Sequence, residues 1–221
     1  MSDPASVIRL ETVRAVLKDR LFTLQSEGEA FAPANIALCK YWGKRHAALN
    51  LPRTSSLSLS LGTLGTTTRL VADAADAIVL NGEPVDENKA FAKRLFSFLD
   101  LFRGADGPAL RIETENTVPT GAGLASSASG FAALVRAIDH ACGWNLGGEQ
   151  ISILARLGSG SASRSVYDGF VVWHAGVRED GMDSFAEPLE TTWPGLCLAV
   201  ALVSSKPKQI GSREAMIRTV E

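Results

Sequence analysis

Pro119-Thr-Gly-Ala-Gly-Leu-Ala-Ser-Ser-Ala-Ser-Gly130 is the stretch on which the reading of this chain turns. It lies between a strand-like segment, Ala109–Glu115, and an Ala-rich helical segment, Ser126 to Cys142, whose apolar positions are Phe131, Leu134, Val135 and Ile138. Gly121 and Gly123 permit backbone angles and close approaches that side chains forbid. Small residues from Ala125 to Ser129 keep the helix start open. Its free N–H groups, added to the helix dipole, make an anion site. Ser126 and Ser127 can then offer hydroxyls to phosphate oxygens or magnesium. No Lys follows the second Gly, so the stretch is not a P-loop. The same letters also describe a Gly/Ser-rich structural turn.

Working outward, residues 5–25 carry apolar side chains at Val7, Ile8, Val13, Val16, Leu17, Leu21 and Leu24, the pattern of an amphipathic helix. Thr54–Leu61 alternates strictly, which predicts a half-buried strand with Leu57, Leu59 and Leu61 on the core face and serines on the other. Thr66–Val71 and Ala77–Leu80 read as further strands, and Asn81-Gly82 as a tight turn. Asn88 to Phe102 and Gln150–Leu157 read as helices; Val166–Trp173 and Leu196–Val203 read as strands. Strands in runs, with helices that do not alternate one-to-one, predict an α+β fold. Ser212 reads as an N-cap of a helix cut off at Glu221, the mark of a fragment.

The 221 residues carry 22 Lys+Arg against 24 Asp+Glu, a formal charge of −2, with 46% hydrophobic and 21% charged residues. That is a globular composition with no electrostatic case for nucleic acid as the main partner. No run approaches the roughly 20 apolar residues of a membrane span. Cys39, Cys142 and Cys197 form no CxxC pair and are expected to be buried thiols in a reducing cytoplasm. His46, His140 and His174 have no metal-ligand spacing.

Two further segments are rich in donors. Ala34-Asn35-Ile-Ala-Leu-Cys-Lys40-Tyr41-Trp42-Gly43-Lys44-Arg45, followed by Leu49-Asn50-Leu51-Pro52, runs an apolar strand into two aromatics and three cations. Those cations can face a polyanion with Tyr41 adding its hydroxyl and Trp42 excluding water, or form a surface cluster beside a core Trp. Gly158-Ser159-Gly160-Ser161-Ala-Ser163-Arg164-Ser165 is a compact loop whose Arg offers a planar fork to phosphate or carboxylate. Read alone it could equally be a flexible loop. Together the three segments fit a highly anionic substrate plus a nucleotide.

These residues resemble the mevalonate diphosphate decarboxylase family of the GHMP kinase superfamily. The resemblance is carried by NIALCKYWGKR with LNLP, by PTGAGLASSASGFAAL and by GSGSASRSVYDGF, and it runs from about Phe31 to Glu221. It implies a GHMP kinase N-terminal domain of the ribosomal protein S5 domain 2-like type over 31–205. Residues 1–30 would be an N-terminal helical extension and 206–221 the start of a C-terminal domain largely missing. The implied reaction is ATP-dependent decarboxylation of mevalonate 5-diphosphate to isopentenyl diphosphate, through phosphorylation of the tertiary 3-hydroxyl. ATP and magnesium would sit on Gly121, Gly123, Leu124, Ala125, Ser126 and Ser127, the metal reached through Ser127. The substrate would be bound by Tyr41, Trp42, Lys44, Asn50, Ser159, Ser161 and Arg164, with Lys40 and Arg164 in catalytic positions.

Two positions depart from the family pattern. His46 stands where an acid is usual and is expected to be a loop residue; Asp168 stands where Gly is common and is expected to form an Asp-Gly turn. The family's catalytic Asp belongs to a C-terminal domain and has no counterpart in this chain. The chain is therefore expected to be inactive alone, with two other readings open: a catalytically dead phosphate-binding remnant, or a sister 3-kinase or decarboxylase acting on mevalonate or its monophosphate. A cytoplasmic homodimer with a small-molecule substrate, and with neither nucleic acid nor membrane as partner, completes the expectation.

Overall fold

A computed structural model describes residues 3–118 and 126–199. The glycine stretch 119–125 lies outside the described residues, as do the far half of the expected 196–203 strand and everything expected after it.

Helix α1 (Pro4–Leu17) starts on Asp3, whose side chain accepts from the Ala5 N–H at 3.3 Å, with Pro4 in the first turn. It ends eight residues earlier than the apolar pattern suggests, because Lys18 turns to φ 55°. Strand β1 (Gly28–Cys39) leads to a short hairpin, β2 (Lys44–His46) and β3 (Leu51–Pro52). The two strands expected over Thr54–Leu61 and Thr66–Val71 are one long strand, β4 (Ser56–Ala72). It pairs with β1 along its length, and with two different partners on its other edge.

β5 (Ala77–Leu80) and β6 (Glu83–Pro84) are joined by Asn81-Gly82, with φ 51° and 82°, the doubly left-handed pair of a tight hairpin turn. Helix α2 (Ala90–Arg103), β7 (Leu110–Asn116), α3 (Ser126–Cys142) and α4 (Gly148–Gly158) follow. A 3₁₀ turn over Gly160–Arg164 precedes β8 (Phe170–Trp173) and β9 (Ala186–Pro188). Residues 196–199 have no regular structure, contrary to the strand expected there, and the expected Val166–Trp173 strand is reduced to its last four residues.

The main sheet has the order β6-β5-β7-β4-β8-β9, with β1 on the other edge of β4. It is mixed, since β5 and β7 run parallel and the other pairs antiparallel. This is the α+β arrangement expected. Helix α3 lies on β1 and β4 and also packs on α4 and the 3₁₀ turn. Its buried Ala128, Ala132, Ala133, Ala137 and Ala141 let the helix backbone come close to its neighbours. The core is continuous from Val13, Val16 and Leu17 of α1 through Phe98, Leu99 and Phe102 of α2 to Leu134, Ile138, Ile153 and Leu154. Phe91, expected on the same face of α2, is exposed at 43%.

One expectation is reversed. On β4 the serines, not the leucines, are the buried side: Ser56 is 3% and Ser58 0% exposed, whereas Leu57, Leu59 and Leu61 are half-buried. Alternation gave the right period and the wrong face, because the serine face looks onto a buried cation. The thiols also differ from expectation: Cys142 is buried, Cys39 and Cys197 are exposed. Among the described residues no helix is long and apolar enough to cross a membrane, and no cluster of His, Cys, Asp or Glu could hold a metal ion.

Candidate active site

The site is built around Arg164, the last residue of the 3₁₀ turn, which is only 2% exposed. Its Nη1 donates to Ser56 Oγ at 2.6 Å and its Nη2 to Asn35 Oδ1 at 3.2 Å. Asn35 is itself oriented, since its Nδ2 donates to Ser165 Oγ at 2.8 Å and to the Ser161 carbonyl at 3.3 Å. The guanidinium Cζ lies 5.9 Å from the Tyr41 ring centroid and 5.8 Å from that of Trp173. Among the described residues Nε has no hydrogen-bond partner, and neither does the buried Ser58 hydroxyl on the same face of β4. Burial pulls the Arg164 pKa down to about 10, so it remains a cation at neutral pH. No carboxylate among the described residues bonds to it. A buried charge without a counter-ion is costly to fold and is suited to receiving an anion.

Tyr41 is buried, and desolvation raises its phenol pKa above the ordinary value, with the Arg164 charge opposing the rise. The phenol therefore stays protonated and can donate a hydrogen bond. A Cβ on Gly160 would sit 2.8 Å from Tyr41 Oη and 3.0 Å from Trp173 Cη2, so the turn approaches the aromatic pair only because that position is glycine. Ser159 and Ser161 share a hydrogen bond between hydroxyls at 3.3 Å, on the same turn.

The basic segment is tied to this turn through α4. Lys44 Nζ donates to Asn50 Oδ1 at 2.6 Å; Asn50 Nδ2 donates to the Arg156 and Leu157 carbonyls at 2.8 and 3.2 Å. Asn50 has φ 53°, a left-handed conformation that Asn tolerates. Two more cations cap the same helix end: Arg9 of α1 donates to the Leu157 carbonyl at 3.1 Å and Arg94 of α2 to the Gly158 carbonyl at 2.5 Å. Lys44 is thus tied through Asn50 to the end of α4 from which the chain passes into the turn carrying Arg164.

Phe131, just inside α3, fills the space where a Gly158 side chain would be, which brings the start of α3 to the same place. Ser126 is half-buried and Ser127 exposed. Gly121, Gly123, Leu124 and Ala125 lie outside the described residues. Ser127 could reach a magnesium ion; with no acid cluster among the described residues, most ligands of such an ion would come from nucleotide phosphates and water. Trp42 is 42% exposed, with Lys40 Nζ 5.7 Å from its ring centroid, so both stand at the surface and not as a buried lining.

The two departures from the family pattern have local roles. His46 Nδ1 accepts the Leu49 N–H at 3.3 Å inside the β2–β3 turn. Asp168 accepts from Ser60 Oγ at 3.1 Å and precedes Gly169, whose φ is 72°. Sequence reasoning missed Asn35, Ser56 and Trp173, the three residues that hold Arg164. Asn35 and Ser56 stood inside quoted motifs, but nothing in strand periodicity says which polar side chain faces a distant Arg. It also missed Arg156, which is fully buried, depressed by desolvation to about 9, and donates to the Gly181 and Ser184 carbonyls at 2.7 and 2.6 Å.

The mixed sheet with α3 laid across it and the Ser/Arg turn beside α4 is the α+β domain of the GHMP kinase superfamily. A family model described as the diphosphomevalonate decarboxylase-like N-terminal domain matches residues 32–186. The chain belongs to the diphosphomevalonate decarboxylase family. It is 44% identical over 209 residues to the diphosphomevalonate decarboxylase of Aspergillus fumigatus, covering 86% of this chain and 52% of that protein. It is 41% identical over 207 residues to that of Saccharomyces cerevisiae, with the same coverages. The crystal structure of mevalonate diphosphate decarboxylase from Staphylococcus aureus superposes with TM-score 0.73 at 37% identity, covering 86% of this chain and 58% of that one. A structure of MDDEF in complex with MVAPP, AMPPCP and magnesium superposes with TM-score 0.72 at 40% identity, covering 88% and 60%. The chain spans about half the length of the curated relatives it matches.

Proposed function

We propose that the protein to which this chain belongs decarboxylates mevalonate 5-diphosphate to isopentenyl diphosphate at the expense of ATP. Residues 31–205 would be the nucleotide- and substrate-binding domain, 1–30 a helical extension and 206–221 the start of a second domain. One observation carries the reading: Arg164 is buried and cationic, no carboxylate among the described residues bonds to it, and it lies beside the protonated Tyr41 phenol on the turn that carries the Ser159 and Ser161 hydroxyls. A diphosphate with a carboxylate supplies the missing negative charge, and one turn can contact both groups.

In this reading Tyr41, Lys44, Ser159 and Ser161 grip the diphosphate, with Asn50 holding Lys44 in place. Arg164 orients the carboxylate, fixing the direction in which the carbon–carbon bond breaks. Lys40 and Trp42 stand at the mouth of the site. ATP with magnesium, at Ser126 and Ser127 and the adjoining glycine stretch, would supply the phosphoryl group that makes the tertiary hydroxyl a leaving group. A cytoplasmic homodimer acting on a small molecule goes with the family reading.

The test is carbon dioxide release coupled to ATP consumption by the full-length protein. We expect turnover of mevalonate 5-diphosphate, and none by the 221-residue chain alone. Preference for mevalonate or its monophosphate would make the protein a sister enzyme. Diphosphate binding without any turnover by the full-length protein would make it a remnant.

A further inference from the structure

We infer that Trp173 is a positioning residue of the anion site, holding Arg164 and Tyr41 in place through its ring while leaving the Arg164 charge available to a ligand. The inference rests on the proposed function only for the identity of the ligand. Trp173 is the largest fully buried side chain of the molecule's described part, at 0% exposure, yet it lies outside the main core. Its cluster is a small one of Tyr41, Val171 and Ala186. Its ring meets Tyr41 edge-on, with centroids 4.8 Å apart and planes at 80°. The Arg164 guanidinium lies 5.8 Å from the same ring. The indole is in turn fixed, because Nε1 donates to Ser184 Oγ at 3.2 Å, and Ser184 Oγ donates to the His174 carbonyl at 2.9 Å.

The chemistry of the contact matters. A carboxylate beside Arg164 would hold it firmly but cancel its charge and occupy the fork that an anion needs. An aromatic face attracts the cation through its quadrupole and uses none of its N–H groups. Ser56 and Asn35 each take one donor from Arg164, and Nε stays uncommitted. Two neutral acceptors and two aromatic rings thus keep a buried guanidinium both fixed and fully charged. Trp173 contributes to both halves of that arrangement, since it also sets the orientation of the Tyr41 ring.

The experiment compares Trp173→Phe with Trp173→Met in the full-length protein, using inorganic pyrophosphate and mevalonate 5-diphosphate as probes in calorimetric titrations. Loss of an aromatic face next to a desolvated cation is expected to weaken binding of both probes by about 5- to 30-fold in Trp173→Met, with Trp173→Phe restoring most of it. KM is expected to rise more than kcat falls. Equal weakening in both variants would reduce the role of Trp173 to packing and overturn the inference, as would unchanged affinity in Trp173→Met. If Trp173→Met does not fold, Ser184→Ala serves instead: it frees the indole and is expected to weaken pyrophosphate binding about threefold, with no change counting against the inference. Pyrophosphate binding that follows the expected order, with no decarboxylation of mevalonate 5-diphosphate, would sink the proposed function and leave the role of Trp173 standing.

Discussion

Replacing Arg164 by Met separates what this residue does for folding from what it does for binding. Arg164 is 2% exposed and its pKa falls well below the usual guanidinium value, to about 10, with burial as the main cause. At about 1.4 kcal/mol per unit, keeping it charged costs the native state on the order of 3 kcal/mol. The sign follows from the direction: the penalty is complete below the folded value of about 10 and is relieved only as pH rises from there toward the ordinary guanidinium value. Met retains most of the stem volume and removes the charge. Against that gain stand two lost hydrogen bonds, to Ser56 and Asn35, at about 1 kcal/mol each, and the aromatic contacts at about 0.5–1 kcal/mol. The balance lies within about 1 kcal/mol of zero, so the melting temperature should move by no more than about 4 °C in either direction. Binding should not be spared. An anion left facing an empty fork loses about 2–5 kcal/mol, or roughly 30- to several thousand-fold in affinity for mevalonate 5-diphosphate. Differential scanning calorimetry and isothermal titration on the same preparation read both quantities. A melting temperature lowered by about 8 °C or more, with affinity retained, would show that Arg164 is a structural cation and that the site lies elsewhere.

Two further outcomes are expected. Gly160→Ala places a methyl group 2.8 Å from Tyr41 Oη and 3.0 Å from Trp173, and displacing a packed phenol should cost about 1–3 kcal/mol, measured as a 5- to 100-fold rise in the dissociation constant for the diphosphate. Asp76 accepts from both Arg103 Nη atoms at 2.7 and 2.6 Å and from the Leu110 N–H at 2.9 Å; the Arg103 hydrogen bond holds its carboxyl below the usual 3.8. Its stabilising contribution is therefore complete above 3.8 and lost as pH falls through the lower folded value, so urea titrations should show Asp76→Asn less stable by about 1–3 kcal/mol near neutrality, with the gap closing in acid.

Several elements could be read from neighbouring residues alone. Helix α3 begins at Ser126 and ends at Cys142, as the apolar spacing predicts, and β5 spans Ala77–Leu80 with an Asn-Gly turn after it. These elements follow from local periodicity and turn chemistry, which long-range contacts did not override. β4 was harder. Thr54–Leu61 and Thr66–Val71 read as separate strands, but one strand continues through Gly62 and Gly65 while its far edge changes partner from β8 to β7. Helix α1 lies outside the stretch matched by the family model, yet Val13, Val16 and Leu17 are part of the central core and Arg9 caps α4. Such a role depends on what the helix packs against, which its own residues do not state.

The linear order of residues determined the kind of chemistry: three donor-rich segments, an Arg fork within a Ser/Gly turn, and cations placed after an apolar strand. Those are properties of residue type and spacing, and they point to an anionic ligand before any coordinates exist. The tertiary structure decided which donors remain available. Sequence placed Ser56 on the outer face of a strand and gave Trp173 no role beyond strand content. Burial of Arg164 with no carboxylate bonded to it among the described residues reverses the first and gives a role to the second. Whether a charge is neutralised, and by which groups, depends on what lies within a few ångströms across the chain, and only the fold brings β1, β4, β8 and the 3₁₀ turn to that distance.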